Sequence, residues 1–87
     1  MQCLRLPADR RADCVRFAVA KDEGQRIVLQ YVCERDHAPV EHGAVEFDCG
    51  QQRWLAELAD ACLQRQAEVY LAVYLERRLR ETAFERR

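Results

Sequence analysis

An α+β fold is what the sequence predicts, in the form of a small antiparallel β-meander of about three strands followed by one long helix or two consecutive helices. Two segments in the first half of the chain alternate apolar and polar residues, which is the period of a half-buried strand. Residues 51–87 then contain no glycine and no proline, which favours helix. A chain of 87 residues has the length of one domain. We therefore expect residues 1–87 to share one core, with the strands within residues 1–48 and helix over residues 50–85.

The first two predicted strands form a β-hairpin. Residues 14–20 place valine, phenylalanine and valine at alternate positions, and residues 26–33 do the same with isoleucine, leucine, tyrosine and cysteine. The polar segment 21–24 between them ends in Gly24, which can adopt the positive φ of a tight turn at no steric cost. The pattern thus predicts two antiparallel neighbours that share one buried face.

The remaining strands are predicted from weaker patterns. After a loop at residues 34–43, a third short strand is expected around residues 44–47. Residues 2–6 could add another strand before Pro7. Together with the hairpin, these strands would form a meander against which the helix packs.

The helical half of the chain is expected to begin after Asp48. Its carboxylate can accept hydrogen bonds from the first N–H groups of a helix, and Gln51, three residues later, completes an arrangement like a capping box. Within residues 67–75 the apolar positions also alternate as in a strand. Their flanks are helical in character and no turn residue separates them, so we interpret residues 67–75 as helix. A break near residues 64–66, which would give two helices, stays open.

Composition excludes several classes of function. The net charge of −1 gives no overall attraction to nucleic acid or to an anionic membrane. The chain contains no serine, which excludes a serine nucleophile. No apolar run is long enough for a signal peptide or a membrane span, so we expect a cytoplasmic protein without membrane contact. The cysteines are odd in number and widely spaced, and we interpret them as thiols of a reducing compartment: Cys3, Cys14, Cys33, Cys49 and Cys62.

One grouping could hold a metal ion. Cys33, His37, His42 and Cys49 would supply two thiolates and two imidazoles, a set that suits tetrahedral zinc. Their intervals are wider than is usual within zinc-ligand pairs, and Cys33 falls on a predicted strand. A small zinc-stabilised module is therefore an alternative hypothesis, and the favoured one has no cofactor.

A catalytic set is not recognisable in the sequence. Cys49 would lie at the start of the predicted helix, where the helix dipole lowers the pKa of a thiol. No orienting partner or oxyanion donor accompanies it, so we predict that the protein is not an enzyme.

The C-terminal arginines form a second candidate site, for nucleic acid. Basic side chains can follow a phosphate backbone, but glutamates are interleaved with these arginines at helical i,i+4 spacing, as in Glu76–Arg80 and Arg77–Glu81. The pattern is typical of a salt-bridged helix surface, and a nucleic-acid-associated regulator is the alternative function. Its contact residues would be Arg77, Arg78, Arg80, Arg86 and Arg87.

The predicted helix is apolar on two sides. Counted from Leu55, one stripe faces the sheet and comprises Leu58, Ala59, Cys62, Val69 and Val73. Leucines spaced by four lie on nearly the opposite side, and a three-stranded sheet cannot cover both. We therefore expect a small interaction or regulatory protein that binds an unidentified protein and forms a homodimer through this second stripe. The predicted interface residues are Tyr70, Leu71, Tyr74, Leu75 and Leu79.

Overall fold

The computed structural model describes residues 4–6 and 11–85, and it has the predicted α+β fold. An antiparallel meander is followed by one helix, and the sheet has the strand order β1-β2-β3-β4-β5. The described part of the chain thus has five strands where about three were expected. The elements are β1 (Leu4–Arg5), β2 (Cys14–Asp22), β3 (Arg26–Arg35), β4 (Ala38–Asp48), β5 (Arg53–Ala56) and α1 (Ala61–Glu85).

The hairpin of β2 and β3 confirms the prediction from residue alternation. Phe17 lies opposite Tyr31 and Val15 lies opposite Cys33, and all four side chains are buried. Gly24 has a φ of 84°, the positive value that a turn glycine adopts without strain. The buried face of this hairpin therefore forms one side of the core.

The predicted loop at residues 34–43 is wrong, because β4 begins at Ala38 after a two-residue turn. Asp36 and His37 have φ values of 51° and 66°. Two consecutive residues with positive φ match the right-handed twist of a tight hairpin. The Asp36 N–H donates to Asp13 Oδ2 at 3.2 Å, which ties this turn to the segment before β2. The predicted strand at residues 44–47 is confirmed as the second half of β4.

Residues 51–60 are not helical, and this part of the prediction is wrong. Asp48 Oδ1 accepts hydrogen bonds from Gly50 N at 2.8 Å and Gln51 N at 3.2 Å. This is the chemistry of a helix cap, but here it closes a turn between two strands. The chain then returns as β5, which pairs with residues 46–48 of β4. Trp54 of β5 packs edge-on against Phe47, with ring centroids 5.1 Å apart.

Helix α1 begins one turn before Gln64 and continues for 25 residues. Its cap is Asp60, whose Oδ1 accepts hydrogen bonds from Cys62 N at 3.0 Å and Leu63 N at 3.3 Å. The Gln64 side chain accepts the Leu58 N–H at 2.9 Å, which fixes the segment that leads into the helix. Residues 67–75 are helical as interpreted, within one long helix rather than two.

The core lies between one face of the sheet and one face of α1. The helix contributes Leu63, Ala67 and Leu71, each at most 4% exposed. The predicted sheet-facing stripe is therefore wrong for Val69 and Val73, which are each 53% exposed. Residues 55–59 precede the helix. A helical count that starts at Leu55 therefore assigns the residues of α1 to the wrong sides of the helix. The fully buried side chains of the sheet are Val15, Phe17, Ile27, Leu29, Cys33 and Val45.

No helix in the described part of the chain combines the length and the hydropathy that a membrane span requires. Helix α1 is long enough, but charged residues recur along its length.

Candidate interaction surface on helix α1

The predicted interface residues lie mainly on the side of α1 that packs on the sheet. Leu71 is buried in the chain's own core, and Tyr70, Tyr74 and Leu75 are partly buried against that core. The Tyr70 ring packs against the Phe17 ring of β2, with centroids 5.6 Å apart. Leu79 is different, because it is 72% exposed.

The apolar surface of α1 that remains uncovered is on its other side. Val69, Val73 and Leu79 are more than half exposed, and Ala72 between them is exposed as well. The helix is thus apolar on two sides, as the sequence predicts, but the sheet covers Leu71 rather than Val69 and Val73, and Leu79 stays exposed.

Five exposed residues form a line along this outer side. Their spacing alternates between four and three residues, which keeps side chains on one side of an α-helix. We call this line the outer seam, and it comprises Arg65, Val69, Ala72, Glu76 and Leu79. Val73 lies beside its centre. The seam is apolar in the middle, with a basic residue toward the start of the helix and an acidic residue toward its end.

A polar cluster at the other side of α1 fixes which side faces outward. Tyr74 Oη donates a hydrogen bond to Asp22 Oδ2 at 2.5 Å, and Arg78 Nη1 donates to Asp22 Oδ1 at 2.8 Å. The Gly24 N–H donates to the same carboxylate at 2.9 Å. Asp22 ends β2, so these contacts attach the second half of the helix to the β2–β3 turn.

The charge states in this cluster follow from these contacts. The Tyr74 hydroxyl, the Gly24 N–H and the Arg78 guanidinium stabilise the Asp22 carboxylate and lower its pKa. The hydrogen bond to Asp22, together with burial, raises the pKa of Tyr74. The same carboxylate raises the pKa of Arg78. The cluster is therefore held in one charge state across neutral pH, and its role is to attach the helix.

The predicted nucleic-acid residues are divided among different environments. Arg78 is bound to Asp22, and Arg80 forms the predicted i,i+4 ion pair with Glu76 at 2.6 Å. Arg77 is exposed, and Arg86 and Arg87 lie outside the described residues. Arg78 is thus held by Asp22, whereas the exposed Arg80–Glu76 pair contributes little, and the predicted arginines do not form one continuous basic surface in the described part of the chain.

The predicted metal ligands do not converge. Cys33 is buried on the core side of β3, whereas His42 pairs with Val32, the neighbour of Cys33 whose side chain points to the other side of the sheet. Residues 4–6 and 11–85 contain no group of three or more histidine, cysteine, aspartate or glutamate side chains that could hold a metal ion.

The cysteines differ from the expectation of five thiols. Cys14 is disulfide-bonded, so the interpretation is wrong at this position. Cys33, Cys49 and Cys62 are not in disulfides. Cys62 is half-buried in the first turn of α1, close to the start of the outer seam.

The uncovered face of the sheet carries ion pairs between neighbouring strands. Arg16 and Glu34 form an ion pair across β2 and β3 at 2.7 Å, and Arg26 and Glu46 form another across β3 and β4 at 3.0 Å. These pairs place opposite charges side by side on the sheet, although Glu34 Oε1 is buried and makes no hydrogen bond. This face therefore combines ion pairs with half-buried apolar side chains such as Val32.

Comparison with known proteins identifies no relative. No protein-family model matches the chain, and neither the curated proteins nor the solved structures contain a match. Function therefore has to be inferred from the chain's own geometry.

Proposed function

We propose that this protein is a small non-enzymatic interaction or regulatory protein that acts as a homodimer through the outer side of α1. The observation that carries the proposal is the exposure of Val69, Val73 and Leu79 on the side of a helix whose opposite side already packs on the sheet. An amphipathic helix needs one apolar side to join a core. A second apolar side has a physical reason when another chain covers it.

The arrangement of these residues supports an interface more than chance exposure does. Single exposed apolar residues are common on protein surfaces. Here Val69, Ala72 and Val73 lie within about one turn of each other, and Leu79 continues the same side after Glu76. Valine side chains at i and i+4 give a rigid ridge, because β-branched residues in helices lose little further rotamer freedom on binding.

The proposed role is regulatory rather than catalytic. A dimer held by α1 would present two sheets with their uncovered faces available to a further protein partner. We place this activity in the cytoplasm, where the dimer binds or modulates that partner, although the disulfide at Cys14 is unusual in a reducing compartment. The ion pairs on the sheet, such as Arg16–Glu34, would set the polarity that such a partner must match.

The test is the mass of the protein in solution together with a change on the outer side of α1. We expect dimers by size-exclusion chromatography with light scattering at micromolar concentration, and monomers for the double variant Val69→Asp, Val73→Asp. Both valines are about half exposed, so circular dichroism should show an unchanged fold. Val40→Asp is the matched control, because Val40 is 41% exposed on β4 and should leave the dimer intact. A wild-type monomer at these concentrations would refute the homodimer.

A further inference from the structure

The charges of the outer seam select one way in which two copies can pair. Arg65 and Glu76 lie on either side of the apolar centre, 11 positions apart and both exposed. Glu76 also forms the i,i+4 pair with Arg80 of its own helix, but this pair is exposed and such pairs contribute little, so Glu76 can still contact a second chain. Two helices packed in parallel would place each residue beside its own copy, arginine against arginine and glutamate against glutamate. An antiparallel pair instead places Arg65 of each copy beside Glu76 of the other. The two-fold symmetry of a dimer then gives this attraction twice.

The apolar positions fit the same register. When Arg65 is opposite Glu76 of the second copy, Val69 is opposite Ala72, and Leu79 is opposite Cys62. A valine against an alanine lets the two helices approach closely, as large and small residues do in well-packed layers. Alternating intervals of four and three are the pattern of side chains that interlock between paired helices. One register therefore satisfies charge, size and spacing together.

We propose that a second copy of this chain docks on the outer seam with its α1 antiparallel, joined by two reciprocal Arg65–Glu76 contacts around a Val69–Ala72 centre. This proposal rests on the proposed function, since it specifies how the homodimer forms. The seam from Arg65 to Leu79 is about 21 Å long at the helical rise. Such a length gives a small interface, so the charged contacts contribute a substantial part of its specificity.

Charge reversal tests the antiparallel arrangement. Arg65→Glu places two glutamates at each contact, and Glu76→Arg places two arginines there, so each variant should dimerise roughly tenfold more weakly than wild type. An equimolar mixture of the two variants should form a heterodimer with about the wild-type affinity, because each contact then joins opposite charges. The double variant Arg65→Glu, Glu76→Arg should also dimerise with about the wild-type affinity. Sedimentation equilibrium at low salt measures all four.

If the mixture dimerises no more tightly than either variant alone, the antiparallel contacts are wrong. The outcome is separable from failure of the proposed function. A monomeric wild type refutes both, whereas a dimer that Val69→Asp, Val73→Asp abolishes, but that shows no recovery in the mixture, refutes the antiparallel arrangement alone.

Cross-linking tests the register independently of charge. In the antiparallel pair the Cys62 thiol lies opposite position 79, so Leu79→Cys should give a disulfide-linked dimer under mild oxidation. Peptide mapping should find Cys62 joined to position 79. The matched variant carries Cys62→Ala as well and should give no such dimer. A link between the two copies of position 79 in that variant would show a parallel arrangement and overturn the proposal.

Discussion

Among the glycines of the described residues, Gly43 is the one at which an added Cβ would make the closest contacts. It lies opposite Tyr31 in the β3–β4 register, and a Cβ at this position would meet the Tyr31 hydroxyl oxygen at 2.7 Å and two ring carbons at 2.8 Å. Tyr31 is a core residue with 7% exposure. The ring thus occupies the space that a side chain at residue 43 would need.

Gly43→Ala should lower the free energy of unfolding by about 1–3 kcal/mol, the usual range for overpacking. Chemical denaturation measures the loss. In a protein that already carries Tyr31→Leu, Gly43→Ala should lower the free energy of unfolding by less, because the ring is gone. The losses of the two single variants should therefore not add in the double variant. Equal costs in both backgrounds would show that the ring contact is not the cause.

Asp22 makes stability depend on acid pH. Its pKa is lowered in the folded protein by the Tyr74 hydroxyl, the Gly24 N–H and Arg78. A lowered pKa gives stability that is complete above the unfolded value of about 4 and is lost as the pH falls through the folded value. Tyr74→Phe removes the largest of these causes. The free energy of unfolding should fall by about 1 kcal/mol at pH 7, and its decline toward pH 3 should become shallower.

The same hydroxyl also makes stability depend on alkaline pH, but here stability falls as the pH rises. The pKa of Tyr74 is raised in the folded protein, so its contribution is complete below about pH 10. It is lost as the pH rises from there through the folded value. Tyr70→Phe is the matched control, because Tyr70 packs on Phe17 rather than on a carboxylate. In denaturation experiments between pH 3 and pH 11, the difference in the free energy of unfolding between the two variants should be largest near neutral pH and should shrink toward both ends. A difference that stays the same at every pH would contradict the assigned role of Tyr74.

Among the elements, α1 depends most clearly on a single side chain at its start. Asp60 accepts two of the first N–H groups of the helix. Asp60→Ala should therefore lower the free energy of unfolding by about 1 kcal/mol. Hydrogen exchange should also become faster in the first turn of α1. Asp48→Ala is informative beside it, since its exchange effect should appear in the β4–β5 turn and not in the helix.

The elements with a clear period were predictable, and those that depend on one turn were not. The β2–β3 hairpin alternates over both strands, and local alternation is a sufficient signal for a half-buried strand. The turn at Asp36 and His37 lacks the glycine that usually indicates positive φ. Asp48 and Asp60 are both good caps by chemistry, and only pairing of β5 with β4, a non-local contact, decides between them.

The candidate surface could be predicted in kind but not in position. A helix with two apolar sides follows from composition and spacing alone. Which side faces the sheet depends on the residue at which the helix starts. A helix counted from the Asp48 turn directs Val69 toward the sheet, whereas the helix that starts after Asp60 directs Leu71 there. The Asp22–Tyr74–Arg78 cluster joins residues more than fifty positions apart, and no local pattern indicates it.

At the scale of the whole molecule, a dimer makes thermal stability depend on protein concentration. Binding between native copies stabilises the folded state by mass action. The Tm of the wild-type protein should rise with concentration over the micromolar range, as measured by calorimetry. The double variant Val69→Asp, Val73→Asp should melt at the same temperature at every concentration. A concentration-independent Tm for the wild-type protein would contradict the dimer.

The short length of β5 leaves part of β4 as an edge strand. β5 pairs with residues 46–48, whereas β4 begins at Ala38. Unpaired edges of this length can recruit strands from other molecules and start fibrils. Pro39 lacks the N–H that such pairing needs, and Glu41 places a charge where a growing stack would bury it. Pro39 and Glu41 therefore disfavour strand pairing along this edge of the sheet, so the proposed self-association would be confined to the helix.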